Sequence, residues 1–232
     1  MCGRISLSAA DHRAAAELLA AAVPGFEAAG LSTWLDSAGY EARTNIGPGQ
    51  QHWVVRARRG RPILDRAQWG FAAKSTKLVI NARAETMAER PMFRASFAHH
   101  RALIPADGFF EWSREGERKQ PHWFHRPERR ALLLAALLTP PQREQPGRFC
   151  VVTQPASESL AWIHHRMPLI VEPEAVHDWL LAPPPRAASL VGQAPALLSF
   201  PVDPAFNSAR HQAPILEYPL DASPPTPELF PP

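Results

Sequence analysis

The clearest fold signal lies in "ALIPADGFFEWSREGERKQPHWFHR", residues 102–126. Its apolar and aromatic residues fall into two runs, one on each side of Glu115-Gly116, which is typical of two strands joined by a turn. Strands joined so closely run antiparallel, because a parallel pair needs a crossover of a dozen or more residues. The stretch therefore predicts a β-hairpin.

The rest of the chain repeats this pattern of short elements. Strands are predicted in "HWVVRAR" (52–58), "RALLLAALL" (130–138) and "RFCVVTQ" (148–154). One helix is predicted to begin at Ser8, with Asp11 in a capping box, and a second over residues 89–102. These patterns predict an α+β fold: a single domain over residues 1–220, with a curved, mostly antiparallel, barrel-like sheet flanked by short helices. The Pro-rich end, residues 221–232, is expected to be a disordered tail.

Composition narrows the class of protein. The 232 residues are 45% hydrophobic, which is enough for a core, and the formal charge of +3 permits an anionic partner without requiring one. The chain has no apolar run long enough to span a bilayer and no signal-peptide pattern at its start. Its two cysteines do not make a disulfide framework. We therefore expect a cytoplasmic protein in which Cys2 stays a thiol.

The start of the sequence, "MCGR", places a cysteine directly behind Met1. A structural cysteine gains little there, because chain ends bury little surface. If Met1 is removed, however, Cys2 carries an α-amine and a thiol on neighbouring carbons. Such an aminothiol forms an imine with an aldehyde and then closes to a thiazolidine ring. Cys2 is therefore a candidate nucleophile.

Three further stretches place polar groups among apolar ones. In "NARAET" (81–86), Asn81, Arg83 and Glu85 alternate along a strand and can share a face. In "GFFEW" (108–112), Glu111 stands between aromatic residues, where loss of solvation raises a carboxyl pKa and suits it to proton transfer. The third stretch, "IHHRMP" (163–168), follows a predicted helix.

Each stretch also has a simpler interpretation. Arg83 and Glu85 can form an ordinary ion pair, and Glu111 can cap a helix or pair with an arginine. His164 and His165 can be metal ligands, but adjacent histidines point in different directions and zinc-type spacing is absent, so we expect no metal and no cofactor. Cys150, in an apolar run, is expected in the core.

Together, "MCGR", "NARAET", "ADGFFEW" and "IHHRMP" resemble the SOS-response-associated peptidase (SRAP) family, from Cys2 to about Pro219. The resemblance implies an abasic-site processing protein. In such a protein the mature N-terminal cysteine captures the ring-opened aldehyde of an abasic site in single-stranded DNA as a thiazolidine crosslink. It also implies an associated lyase activity and removal of Met1 by the protein itself. The expected partner is single-stranded DNA with abasic sites, bound by a monomer that associates with the nucleoid when on DNA and with no membrane.

The resemblance also assigns roles to residues. It makes Cys2 the nucleophile and crosslink anchor, Asn81 the residue that positions it, Glu111 the group that assists ring opening, and His164, rather than His165, the proton shuttle. The positions expected to bind DNA are Arg4, Arg83, Thr153 and Arg166. One segment departs from the family: "AAKSTKLVI" (72–80) lacks the Trp residues that many members carry after "QWGF".

Two other functions remain open from the sequence. The same amine and thiol would serve an N-terminal-nucleophile amidohydrolase or peptidase, with Asn81 helping an oxyanion, and such an enzyme would turn over an amide without DNA. A non-catalytic single-strand binding module would bind DNA in a salt-sensitive way that does not depend on Cys2.

Overall fold

The computed structural model describes residues 2–73, 77–115, 118–141 and 146–219. No helix within these ranges is long and apolar enough to cross a membrane. The strands are β1 (Ile5–Leu7), β2 (Arg43–Ile46), β3 (Gln51–Arg58), β4 (Arg61–Trp69), β5 (Asn81–Arg83), β6 (Arg101–Ala106), β7 (Gly108–Glu115), β8 (Arg118–His125), β9 (Leu132–Thr139), β10 (Arg148–Pro155), β11 (Arg166–Pro168) and β12 (Leu198–Pro201). The helices are α1 (His12–Ala22), α2 (Ala28–Ser37), α3 (Arg94–His99), α4 (Glu158–Ala161), α5 (Val176–Leu180) and α6 (Pro184–Ala188).

The predicted hairpin is confirmed as β7 and β8. These antiparallel strands pair Phe109 with Phe124 and Glu111 with His122. The hairpin is the centre of a five-stranded sheet in the order β12-β8-β7-β1-β2. Its turn at Gly116 lies outside the described residues, as does the predicted tail, 221–232.

The larger sheet has the order β11-β10-β4-β3-β6-β9, with β5 beside β10. Strand β9 pairs with both β6 and β10, so the pairings close into a ring. Most pairings are antiparallel, while β10 runs parallel to β4 and β5. The predicted α+β class with a mostly antiparallel sheet is thus confirmed.

The structure adds a detail that the sequence did not indicate, because the strands divide between two sheets at Asp107. Strand β6 joins the ring, whereas β7 begins one residue later and pairs with β1. The Asp107 carboxylate accepts hydrogen bonds from the Ser6 hydroxyl at 2.5 Å and from the Ser8 hydroxyl at 2.6 Å. These bonds fix the point at which the chain leaves one sheet for the other.

The core fills the space around the ring of strands. Strand β9 is buried on both faces from Leu132 to Leu138, which explains why its sequence is continuously apolar rather than alternating. Cys150 is buried in this core, as expected. Trp69 and Phe149 stack with their ring centroids 5.7 Å apart across β4 and β10.

The first predicted helix begins later than expected. Its N-cap is Asp11, whose carboxylate accepts from the backbone N–H groups of Arg13 and Ala14, each at 2.9 Å. Ser8 does not cap the helix, since its backbone N–H and hydroxyl both donate to Asp107. The long-range contact of Ser8 with Asp107 therefore overrides the local capping pattern.

The helix predicted over residues 89–102 is wrong in extent. Only Arg94–His99 is helical, and Arg101 already belongs to β6, paired with Leu137 of β9. The Arg101 guanidinium donates to backbone carbonyls, including those of Phe97 and Trp179, which anchors the strand end to α3 and α5. Sheet pairing therefore ends the helix early.

Candidate active site

Cys2 lies just before β1, in a backbone position held from two sides. Its carbonyl oxygen accepts a hydrogen bond from Asn81 Nδ2 at 3.0 Å. Two residues on, the Arg4 carbonyl accepts from the Phe110 N–H at 3.0 Å, which carries the β1–β7 pairing towards Cys2. The Cys2 side chain is fully buried, and burial, followed by the Glu111 charge, raises the pKa of its thiol above the ordinary value.

Asn81 is the first residue of β5, a short strand that runs parallel to β10. In this pairing Asn81 lies opposite Val151. Its amide nitrogen is committed to the Cys2 carbonyl. Its Oδ1 atom is buried and has no hydrogen-bond partner within the described part of the chain. A buried acceptor left open in this way is suited to a donor brought in by a ligand.

Glu111 projects from β7 into the region of Cys2. It lies one position beyond Phe110, whose N–H bonds to the Arg4 carbonyl, and its charge acts on the Cys2 thiol. The side chain is buried, and burial raises the pKa of the carboxyl above the ordinary value. A carboxyl of this kind keeps its proton to higher pH than an exposed one and is suited to general acid catalysis.

His164 lies between α4 and β11, and β11 pairs with β10, the neighbour of β5. Its Nδ1 lies 2.9 Å from the backbone nitrogen and 3.1 Å from the carbonyl oxygen of Arg166, contacts that hold the ring in place. Partial burial lowers the pKa of the ring, which favours the neutral form. The rings of His164 and His165 stack 4.5 Å apart, contrary to the expectation that they diverge.

Arg166 and Thr153, expected at the DNA backbone, lie inside the protein. The Arg166 guanidinium forms a two-pronged salt bridge with Glu85, at 2.5 and 2.8 Å, and donates to the Thr153 carbonyl at 2.6 Å. Glu85 therefore pairs with Arg166 rather than in the simple pair with Arg83 considered from sequence. This bridge ties the "NARAET" segment to β10 and β11.

Arg4 is also held by protein groups. It donates to Asn45 Oδ1 at 2.6 Å and lies 5.6 Å from the centre of the Trp112 ring. Asn45 in turn donates to the backbone carbonyls of Ser208 and His211. Arg4 thus joins β1 to the last described segment of the chain.

A groove of about 710 Å³ opens beside Asn81. The cations on its wall are Arg83 and Arg90, both exposed. Arg90 was missed from the sequence, because residues 89–102 were interpreted as a helix and its exposure depends on the turn that precedes α3. The lining residues are Val79, Asn81, Arg83, Thr86, Arg90, Pro91, Met92 and Phe93.

The structure thus brings three of the four expected catalytic residues into direct relation. Cys2 and Asn81 share a hydrogen bond, and Glu111 acts electrostatically on Cys2. His164 lies just before β11, which pairs with β10, the neighbour of the Asn81 strand β5. Among the described residues, no group of three or more His, Cys, Asp or Glu side chains is placed to hold a metal ion.

Comparison with known proteins defines the class. The model of the SOS response associated peptidase (SRAP) family matches residues 1–209. The chain therefore belongs to this family.

Individual relatives agree with that assignment. The chain is 37% identical over 142 residues to the abasic site processing protein YedK of Escherichia coli, covering 60% of this chain and 64% of that protein. It is 31% identical over 160 residues to the abasic site processing protein HMCES of Xenopus tropicalis, covering 58% of this chain and 48% of that protein. The matches thus span about half to two thirds of these relatives.

Solved structures share the fold. A protein from Bacteroides thetaiotaomicron superposes with a TM-score of 0.70 at 20% identity, over 87% of this chain and 92% of the other. A phage-related protein from Bordetella bronchiseptica superposes with a TM-score of 0.66 at 26% identity, over 87% of this chain and 94% of the other.

Proposed function

We propose that this protein processes abasic sites in single-stranded DNA by forming a covalent thiazolidine crosslink through Cys2 after Met1 is removed. Membership of the SRAP family and the names of the relatives support abasic-site processing. The observation that carries the chemical proposal is the junction at Cys2. There the backbone is held by Asn81 at 3.0 Å and the thiol lies within the field of the buried Glu111.

The reaction balances in two steps. The Cys2 α-amine attacks the aldehyde carbon of the ring-opened deoxyribose and water leaves, which gives an imine. The thiol then adds to the imine carbon and its proton passes to the imine nitrogen, which closes the five-membered ring. The α-amine has an ordinary pKa of about 7.7–8.0, so a useful fraction is neutral and nucleophilic near neutral pH.

Glu111 is proposed as the acid and base. Its raised pKa keeps a proton available for the oxygen of the closed sugar ring and for the hydroxyl that leaves during imine formation. The raised pKa of the Cys2 thiol means that the sulfur needs a base when it adds to the imine. Glu111, having given up its proton, is that neighbouring base.

Asn81 and His164 are proposed to complete the site. The Asn81 amide nitrogen fixes Cys2, while its open Oδ1 is proposed to accept from the freed Cys2 α-amine or from a sugar hydroxyl. His164, whose lowered pKa favours the neutral ring, shuttles protons during imine formation and during reversal of the crosslink.

The DNA strand is proposed to follow the groove beside Asn81. Arg83 and Arg90 are exposed there and meet backbone phosphates, which gives affinity without sequence preference. Arg4, Arg166 and Thr153 are held by protein partners, so their proposed contribution is to shape the site.

Two further activities are proposed from the same intermediate and position. An imine at the sugar acidifies the neighbouring C2′–H, so loss of that proton expels the 3′ phosphate by β-elimination, which is a lyase reaction. Hydrolysis of the Met1–Cys2 peptide bond by the site itself is the proposed peptidase activity.

The test uses a single-stranded oligonucleotide with one abasic site, mixed with the protein or with Cys2→Ser or Cys2→Ala variants and separated on a denaturing gel. We expect a slow-migrating adduct with the parent protein and none that persists with either variant. Cleaved DNA without a stable adduct in Cys2→Ser would mean that the amine alone supports lyase chemistry. Absence of an adduct from protein lacking Met1, together with turnover of an amide without DNA, would favour the amidohydrolase instead.

A further inference from the structure

Trp162 presents an aromatic surface to solvent beside the candidate site. Its side chain is 56% exposed, whereas Trp69 and Trp179 are fully buried in the core. It follows α4 directly and precedes His164 by two residues. The exposed part of the indole is therefore open to a ligand that binds next to His164.

The exposed indole is nevertheless held in place. Its Nε1–H donates to the Ser159 carbonyl at 3.1 Å. The indole makes a T-shaped contact with His122, with ring centroids 4.9 Å apart and planes at 84°, and the Phe124 ring lies 6.4 Å away. A ring fixed by several contacts loses little conformational freedom when something stacks on its open face.

His122 links Trp162 to the reacting groups. It lies directly opposite Glu111 in the β7–β8 pairing. Side chains opposite each other on an antiparallel pair project from the same face of the sheet and lie about 5 Å apart at Cβ. Trp162 is therefore separated from the Glu111 carboxyl by one histidine ring, which is within the reach of a nucleotide next to the reacting sugar.

We propose that Trp162 is a stacking platform for the base of a nucleotide that flanks the abasic site. This inference rests on the proposed function. Stacking suits the task because every base has a flat π face, so the strand is gripped next to the lesion whatever its sequence. The sequence from Ala72 to Ile80 contains no aromatic residue, so that segment offers no such platform.

The experiment measures binding without the covalent step. A labelled single strand carries tetrahydrofuran, an abasic analogue without an aldehyde, and its anisotropy gives the Kd. We expect Trp162→Ala to weaken binding by about 5- to 150-fold, since one stacked base is worth that much, and Trp162→Phe to retain most of the affinity. The matched control is Trp34→Ala, which removes an exposed tryptophan of α2 that packs edge-on against Trp53 and should leave the Kd unchanged.

A second set of oligonucleotides identifies the stacked base. Each flanking base is replaced in turn by a further tetrahydrofuran. We expect one replacement to weaken binding by the parent protein and to have no effect on Trp162→Ala. Trp162→Leu keeps apolar bulk without a π face, and we expect it to behave as Trp162→Ala does.

Three results would overturn the inference. They are an unchanged Kd in Trp162→Ala, full affinity in Trp162→Leu, or a loss in Trp162→Ala that stays the same when each flanking base in turn is replaced by tetrahydrofuran. Failure of the proposed function is a separate result: parent protein that binds the analogue but forms no adduct with a true abasic site. Parent protein that binds neither would overturn both.

Discussion

At the scale of single residues, the candidate site consists of polar groups that the fold removes from water. The Cys2 thiol and the Glu111 carboxyl are both buried, and burial raises the pKa of each. Burial of this kind favours the protonated forms and penalises the charged ones. The burial that prepares these two side chains for reaction therefore lowers the stability of the folded protein.

The pH dependence of the free energy of unfolding tests whether the burial of Glu111 lowers stability. Its native pKa is raised above the ordinary value of 4.5, so the folded protein holds this proton more tightly than the unfolded chain does. The free energy of unfolding contributed by Glu111 therefore falls as pH rises above that ordinary value. We expect Glu111→Gln to melt at a higher temperature than the parent protein at pH 8, with a smaller difference at pH 5, while adduct formation slows by about 100-fold or more.

Calorimetry at the two pH values checks the first part and the crosslinking gel the second. Glu17→Gln, at an exposed position on α1, is the control and should follow the parent protein at both pH values. Parallel melting curves for Glu111→Gln and the parent protein would contradict the raised pKa.

At the scale of elements, the site depends on the Arg166–Glu85 bridge. It joins the turn after β5 to the first residue of β11. Arg166 also donates to the Thr153 carbonyl of β10, so one guanidinium holds three segments together.

We expect Glu85→Gln to lower the free energy of unfolding by about 1–2 kcal/mol at pH 7. Hydrogen bonds to charged groups contribute about 1.5–3 kcal/mol, and the partial exposure of Glu85 reduces this by screening. Arg166 lowers the pKa of Glu85, so the contribution is present above the ordinary carboxyl pKa and is lost as pH falls through the native one. Urea denaturation should therefore show the difference shrinking in acid.

The control is Asp178→Asn, which breaks a pair with Arg186, a residue 64% exposed in its side chain. We expect a change below about 0.5 kcal/mol for this surface pair. Equal losses in the two variants would show that the Glu85 bridge carries no special weight.

Glycine substitutions test the close packing where β1 pairs with β7. A Cβ on Gly108 would lie 2.2 Å from Trp123 Nε1, the atom that donates to the Ser6 hydroxyl, so we expect Gly108→Ala to cost at least about 1–3 kcal/mol. A Cβ on Gly30, inside α2, meets nothing within 4 Å, and Gly30→Ala should stabilise by about 0.5–1 kcal/mol. Similar denaturation midpoints for the two variants would contradict the close packing at Gly108.

Single strands and hairpins can be predicted from the sequence more fully than the division of the strands between two sheets. The β7–β8 hairpin follows from a local pattern, and the buried strand β9 from its apolar run. The division into two sheets depends on Asp107 meeting Ser6 and Ser8, residues about a hundred positions away, and no local pattern contains that contact.

The residues of the candidate site also differ in whether local sequence indicates them. Cys2 and Glu111 carry their chemistry in residue type and neighbours, so the sequence indicates them. Arg90 and Trp162 depend on which face other elements leave open, so their exposure is visible only in the fold.

At the scale of the whole molecule, the formal net charge is only +3. The proposed binding of DNA therefore depends on local clusters of cations. The exposed arginines of the groove, Arg83 and Arg90, are such a cluster. We expect Arg83→Ala and Arg90→Ala each to reduce the slope of log Kd against log salt by about 0.7, the value for one phosphate of a single strand. Arg58→Ala, at the exposed end of β3, is the control, and an equal change there would contradict a defined path.

The proposed chemistry requires that Cys2 joins DNA through both nitrogen and sulfur, and mass spectrometry of the adduct examines both bonds at once. The crosslinked protein is digested, and the DNA-bearing peptide is fragmented. We expect a peptide that begins at Cys2, carries the sugar with the loss of one water, and resists both borohydride reduction and thiol alkylation. An adduct on another residue, or one on Cys2 whose thiol is still alkylated, would contradict the thiazolidine crosslink.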